Sequence, residues 1–319
     1  MKQWFGALAL SAGLALGTPA AAQTNLSIVT GGTGGVYYPL GGGLANLLTK
    51  HVPGYAATAE VTGGSVDNLK LIGAGKAQLG LTMADATLDA YKGEDKFKGA
   101  KVEVRTLMVA YPNKMHVVTV EGSGIEKMAD LKGKRVSTGS PGSATEVMAF
   151  RLIEATGLDK DKDMKRERLG VAESTNAVKD RKIDAYFWVG GLPTAGVTDL
   201  AATPGLKIKL IDHGEFAAKM NAKYGNLYAA GAIPATTYPG MAKDATNVDV
   251  WNLMVANASL PEEVVQNVLK ITFDRRDDMI AVHKEAQNFD FKYQKTANSP
   301  VPFHPGAIKF FAARGVKLD

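Results

Sequence analysis

Leu40, Leu44, Leu47 and Leu48 recur at helical spacing directly after a glycine-rich turn, and the short run 26–30 ahead of that turn has β character. The unit then repeats. Run 57–62 reads as a strand, Gly63 and Gly64 as a turn, and a helix follows from Val66; strand 78–82 and a helix over 85–91 come next. Alternation of this kind predicts right-handed βαβ crossovers and a parallel sheet. It pauses once, where runs 104–110 and 115–120 read as two strands separated only by Tyr111, Pro112, Asn113 and Lys114.

After that pause the rhythm restarts with strand 135–138, a Gly-containing turn and helix 144–156. A strand near Arg168, a helix over 173–180 and strands 184–189 and 207–211 follow. Strand character returns at 248–256. Pro261 opens a helix through Phe273, as proline does in a first turn, and a last helix at 307–314 is closed by Gly315. The expected organisation is two α/β lobes joined by crossing strands. Residues 23–115 and 245–319 form lobe 1, residues 116–244 form lobe 2, and the ligand cleft lies between them. Both the rule for open α/β sheets and the preference of pockets for domain boundaries point to that cleft.

The N-terminal 22 residues stand apart from this pattern. A Lys2 start, an apolar run from Trp4 to Leu16 and the small residues Ala20, Ala21 and Ala22 have the form of a cleaved secretory signal peptide. The apolar run is shorter than the roughly 20 residues a membrane span needs, so the expectation is an exported, periplasmic, monomeric chain with no stable membrane insertion. With no cysteine in the sequence, disulfides, thiol nucleophiles and cysteine zinc sites are excluded. The net charge of +5 is mild, and basic residues alternate with acids, as in 160–168. Nucleic-acid binding would want a single-sign stripe with interleaved aromatics. A weak positive field does favour an anionic small-molecule ligand.

Three turns at strand-to-helix junctions carry the candidate chemistry. They are Gly31-Gly32-Thr33-Gly34-Gly35-Val36-Tyr37-Tyr38-Pro39, Thr62-Gly63-Gly64-Ser65-Val66-Asp67-Asn68, and Ser137-Thr138-Gly139-Ser140-Pro141-Gly142-Ser143-Ala144-Thr145. Helix starts offer orphan N–H donors and a partial positive charge, and these turns place hydroxyls beside them, so each can hold a carboxylate or phosphate. Tyr38 follows the first turn, Asp85 follows the third strand, and Trp188 ends a strand ahead of Gly190-Gly191-Leu192-Pro193. No Gly-Lys-Ser/Thr ending makes the first turn a nucleotide loop, and no Gly-x-Ser-x-Gly elbow occurs. The five histidines lack metal spacing. A binding protein without cofactor or metal is expected rather than an enzyme. An exported hydrolase using Ser65 or Ser143 is the alternative from another class.

The first turn, through Gly41, resembles the signature of TAXI solute receptors of tripartite ATP-independent periplasmic (TRAP) transporters. Gly64-Ser65-Val66-Asp67-Asn68, Asp130-Leu131-Lys132-Gly133-Lys134-Arg135-Val136, Ser140-Pro141-Gly142-Ser143, Lys182-Ile183-Asp184-Ala185 and Pro302-Phe303-His304-Pro305-Gly306-Ala307 are similar in the same order. The resemblance implies a type II periplasmic-binding-protein fold and delivery of a small carboxylate, such as glutamate or 2-oxoglutarate, to TRAP transporter membrane subunits. It also implies ligand-binding roles for Gly34, Gly35, Val36, Tyr38, Ser65, Asn68, Asp85, Ser143 and Thr145, and for Trp188, Gly190 and Pro193. Many relatives have a Gln-Ser-Asp type segment where this chain has Thr82-Met83-Ala84-Asp85. A receptor of an ATP-driven importer would share the fold and the export signal.

Overall fold

The computed structural model describes residues 23–319; the signal-peptide expectation falls on residues outside that range. Along the chain run β1 (Thr24–Val29), α1 (Tyr37–His51), β2 (Tyr55–Glu60), α2 (Ser65–Gly73), β3 (Leu79–Met83), α3 (Ala84–Lys92) and the long β4 (Val104–Val120). Next come β5 (Arg135–Ser137), α4 (Ala144–Thr156), β6 (Lys165–Glu167), α5 (Val171–Lys179), β7 (Ala185–Gly190), α6 (Ala195–Ala201), β8 (Ile208–Leu210), α7 (Ala217–Tyr224) and β9 (Tyr228–Ile233). The chain closes with β10 (Ala245–Asn257), α8 (Glu262–Asp274), α9 (Arg276–Val282) and α10 (Pro305–Ala313).

The strands form one sheet in the order β2-β1-β3-β10-β4-β7-β5-β6, with β8 on β4 and β9 on β10. The pairs β1–β2, β1–β3, β5–β6 and β5–β7 are parallel. β3 is buried along its whole length, as a strand covered by helices on both faces must be. Two antiparallel strands join the halves. β4 pairs with β10 up to Lys114 and with β7 and β8 from Lys114 onward. β10 pairs with β9 along residues 245–250 and with β3 along residues 252–256.

Residues 104–120 are thus one strand, not the two expected from Tyr111 to Lys114. Pro112 has no N–H to give the ladder, and the sheet absorbs this with a register shift between Trp251 and Leu253 of the partner strand. The sequence pattern also left α6, α7, β9 and α9 unassigned.

The helix face expected from the leucine spacing is real, since Leu40, Leu44, Leu47 and Leu48 of α1 are buried. Near the C-terminus, Pro305 opens α10 and the His304 ring nitrogen Nδ1 accepts from the Gly306 N–H (3.1 Å). Phe273, Phe291, Phe310 and Phe311 pack edge-on and face-on beneath it. Among the described residues, no helix is long and apolar enough to cross a membrane.

Candidate functional site

Parallel βα units release the chain at the carboxyl ends of their strands, and in this sheet the two sets of strand ends face each other. A cavity of about 400 Å³ lies there. Its wall is made by residues 31–37, 61–65, 140–141, 143–145, 168–173 and 188–190, together with Met83 and Tyr111.

The helices α1, α2, α4 and α5 all begin on this wall, at Tyr37, Ser65, Ala144 and Val171. First-turn N–H groups have no acceptor within their own helix and carry partial positive charge, so convergent helix starts suit an anion. Local sequence explains the geometry. Gly64 precedes α2 at φ +123°, a conformation other residues rarely adopt. Ser143 caps α4, its Oγ accepting from the Glu146 N–H (3.1 Å). A Cβ on Gly35 would stand 2.9 Å from the Trp188 ring, so the absent side chain is what lets the indole reach the wall.

Hydrogen bonds link the two halves beside the cavity. Ser140 Oγ donates to the Gly63 carbonyl (2.9 Å), and the Asp67 N–H donates to the Gly142 carbonyl (3.1 Å). The Gly196 N–H donates to the Gly34 carbonyl (3.1 Å). On another side the Glu285 carboxylate accepts from the Leu192 N–H (2.5 Å), and the His283 ring meets the Pro193 carbonyl (3.1 Å). These contacts hold the halves together beside the cavity.

Of the candidate residues, Gly34, Gly35, Val36, Ser65, Ser143, Thr145, Trp188 and Gly190 line this one cavity. Four do not. Tyr38 is 38% exposed and turned away from it, because consecutive helical residues point about 100° apart, and Tyr37 takes the inward position. Asn68 is a buried clasp: its amide donates to the Thr30 (2.6 Å) and Leu81 (2.8 Å) carbonyls and accepts from Thr62 Oγ1 (2.6 Å), tying the end of β1 to the middle of β3. Asp85 is buried against Tyr228, whose hydroxyl donates to it (3.0 Å), and lies 3.9 Å from Arg151. Pro193 meets His283 instead of the cavity.

The hydroxyls of the lining residues differ in freedom. Ser143 Oγ is committed on both sides, since it also donates to the Ser140 carbonyl (2.7 Å). Ser65 Oγ accepts from the Met83 N–H (3.1 Å), which leaves its proton to direct elsewhere. Thr145 Oγ1 makes only a long contact to the Val189 N–H (3.4 Å).

Sequence reasoning chose Tyr38 over Tyr37 and missed Met83, Tyr111 and Arg168. Tyr37 donates to Asn252 Oδ1 of β10, and Asn113 of β4 donates to the same oxygen (2.8 Å), so the wall is bonded to both crossing strands. Burial pushes the Tyr37 and Tyr111 phenols well above the ordinary tyrosine range, so both are neutral donors. Among the described residues Arg168 is the lining cation, but its guanidinium is held by Glu146 through Nε (2.5 Å) and Nη2 (3.0 Å). A signal for it existed, because it follows the end of a short parallel strand.

A profile of the NMT1-like family matches residues 28–315. Among similar solved structures, the binding protein component of an ABC phosphonate transporter from Pseudomonas aeruginosa is 12% identical (TM-score 0.54), covering 83% of this chain and 80% of that one. A protein from Bordetella bronchiseptica RB50 is 18% identical (TM-score 0.52), covering 91% and 89%. A structure from work on glutathione import via GshT and the cystine ABC importer TcyBC of Streptococcus mutans is 12% identical (TM-score 0.50), covering 89% and 99%. At these identities the likeness shows the fold, which is the α/β fold of periplasmic binding proteins.

Proposed function

The chain belongs to the NMT1-like family, and from that premise we propose that it is a periplasmic receptor that captures a small organic anion and hands it to a membrane transporter. The observation that carries this reading is the cavity at which four helices begin, beside hydrogen bonds between halves that, among the described residues, β4 and β10 join as continuous sheet strands. Residues 23–115 with 245–319 act as one lobe and 116–244 as the other, and bending of the two crossing strands opens and closes the cleft. The carboxylate of an amino acid or dicarboxylate, such as glutamate or 2-oxoglutarate, meets the helix starts at Ser65 and Thr145, with Trp188 against its body. The site is read as one of capture rather than turnover. Native mass spectrometry of the purified protein tests this: a small acid released on unfolding supports it, and turnover of an ester or amide panel contradicts it.

The glycine-rich block from Gly31 to Pro39 favours a TRAP transporter as the partner. The phosphonate-transporter component among the similar structures favours the second reading, an ATP-driven importer, with which the fold agrees equally. Receptor-dependent uptake in cells separates them. Uptake abolished by collapsing the ion gradient at constant ATP supports the first, and uptake abolished by ATP depletion at constant gradient supports the second.

A further inference from the structure

Among the described residues two charged side chains line the cavity, Arg168 and Glu173, and each is already occupied. Arg168 is paired with Glu146 through two nitrogens (2.5 and 3.0 Å). The Glu173 carboxylate lies over Gly170, where a Cβ would stand 2.5 Å from it, so the start of α5 carries its own anion. The aromatic side chains add little polarity. The Trp188 indole N–H donates to Thr194 Oγ1 (2.9 Å) and the Tyr37 hydroxyl donates to Asn252 Oδ1, so ring carbon is what both offer a ligand. Val61 is exposed on the wall, and Leu169 and Ala172 are half-buried there. Apolar side chains thus border the space from both halves, Tyr37 and Val61 from one and Leu169, Ala172 and Trp188 from the other. The volume of about 400 Å³ exceeds the roughly 150 Å³ that suffices to take up benzene, which leaves room for a carboxylate beside a ring.

Resting on the receptor reading above, we propose that the ligand is a monocarboxylic acid with an apolar body, a ring or a branched chain. Its carboxylate meets the helix starts at Ser65 and Thr145, and its body lies between Trp188 and the apolar side chains of the opposite half. A second carboxylate in the place of that body would lose its water without gaining a free cation, and Glu173 would repel it. An apolar body gains there instead, in proportion to the area it removes from water. Within the small organic acids of that reading, glutamate and 2-oxoglutarate therefore fit less well than an acid with the same head and an apolar tail.

Calorimetry with three 2-oxo acids that share one head and differ in tail tests this: phenylpyruvate, 4-methyl-2-oxopentanoate and 2-oxoglutarate. Wild type should bind the two apolar-tailed acids at least about tenfold tighter than 2-oxoglutarate. Trp188→Ala should weaken phenylpyruvate about tenfold and leave 2-oxoglutarate unchanged, with the melting temperature confirming that the variant is folded. Leu169→Lys, which sets a cation beside the tail, should shift the preference toward 2-oxoglutarate. A wild type that binds 2-oxoglutarate equally well or better, as it would if Arg168 left Glu146 to meet the second carboxylate, overturns the proposal and leaves the receptor reading standing. An apolar preference that neither substitution moves overturns it too. A wild type that binds none of the three overturns the organic-acid reading together with this inference, which is a separate and recognisable failure.

Discussion

Arg151 of α4 meets Asp89 of α3 at 2.5 Å in a buried ion pair that joins the two halves of the molecule behind the cavity. The same guanidinium approaches Asp95 (3.4 Å), donates to Tyr228 Oη (3.0 Å) and lies over the Tyr224 ring (4.5 Å). Asp85 was a candidate ligand contact, and its place in this cluster explains why it sits under the protein surface instead of in the cavity.

Removing the guanidinium leaves Asp85 and Asp89 buried without their cation. Arg151→Met should cost about 3–5 kcal/mol, the usual penalty for orphaning buried charges. The midpoint of urea unfolding measures it. An unchanged midpoint would mean that water reaches the cluster.

His116 and His213 set the acid limit. Burial lowers both rings to about 4, and each donates from Nδ1 to a carbonyl, of Lys114 and Ile211 respectively. His116 Nε2 in addition accepts from the Tyr238 hydroxyl (2.8 Å), which requires the neutral ring. A depressed folded value means stability that is fully present above the unfolded value near 6.5 and lost as pH falls through about 4. The melting temperature should fall progressively from pH 6.5 to 4, and ring nitrogen NMR shifts should show both histidines neutral at pH 5.5. Titration near 6.5 would contradict the burial.

Ser143 and Thr145 should separate by assay. Ser143→Ala removes the cap of α4 and should cost about 1 kcal/mol of stability. Thr145→Ala should leave stability nearly unchanged and weaken binding of whichever acid copurifies about tenfold, the loss expected for one charge-assisted hydrogen bond. Equal behaviour of the two variants would refute the assignment.

Gly35→Ala should push the Trp188 indole off the wall, because the added Cβ would meet the ring at 2.9 Å. The expected readout is weaker binding with preserved folding, and a Trp188 emission that no longer responds to ligand. Retained affinity would place the ligand away from this wall.

Much of the fold could be read from local pattern. Helix 144–156 agrees with α4 at both ends because Ser143 and Gly157 punctuate it. Leu40, Leu44, Leu47 and Leu48 announced the buried face of α1. The glycine turns that line the cavity were legible for the same reason, since each needs its conformation whatever the tertiary fold. Tyr111 was not, because its place on the wall depends on β4 running straight through Pro112, and proline reads as a break unless the partner strand shifts register. Asp85 and Arg151 are neighbours only after two helices from different halves pack, so neither spacing nor periodicity could join them.

The central claim is that two lobes bend on β4 and β10 to close around a small acid. Small-angle X-ray scattering of the ligand-free and ligand-saturated protein tests it most directly, using the acid that native mass spectrometry identifies. If the lobes close as claimed, the Ser140–Gly63, Asp67–Gly142 and Gly34–Gly196 bonds form on closure, so the saturated protein should have the smaller radius of gyration and match the present structure. Superimposable curves, with binding confirmed by calorimetry on the same samples, would contradict the claim.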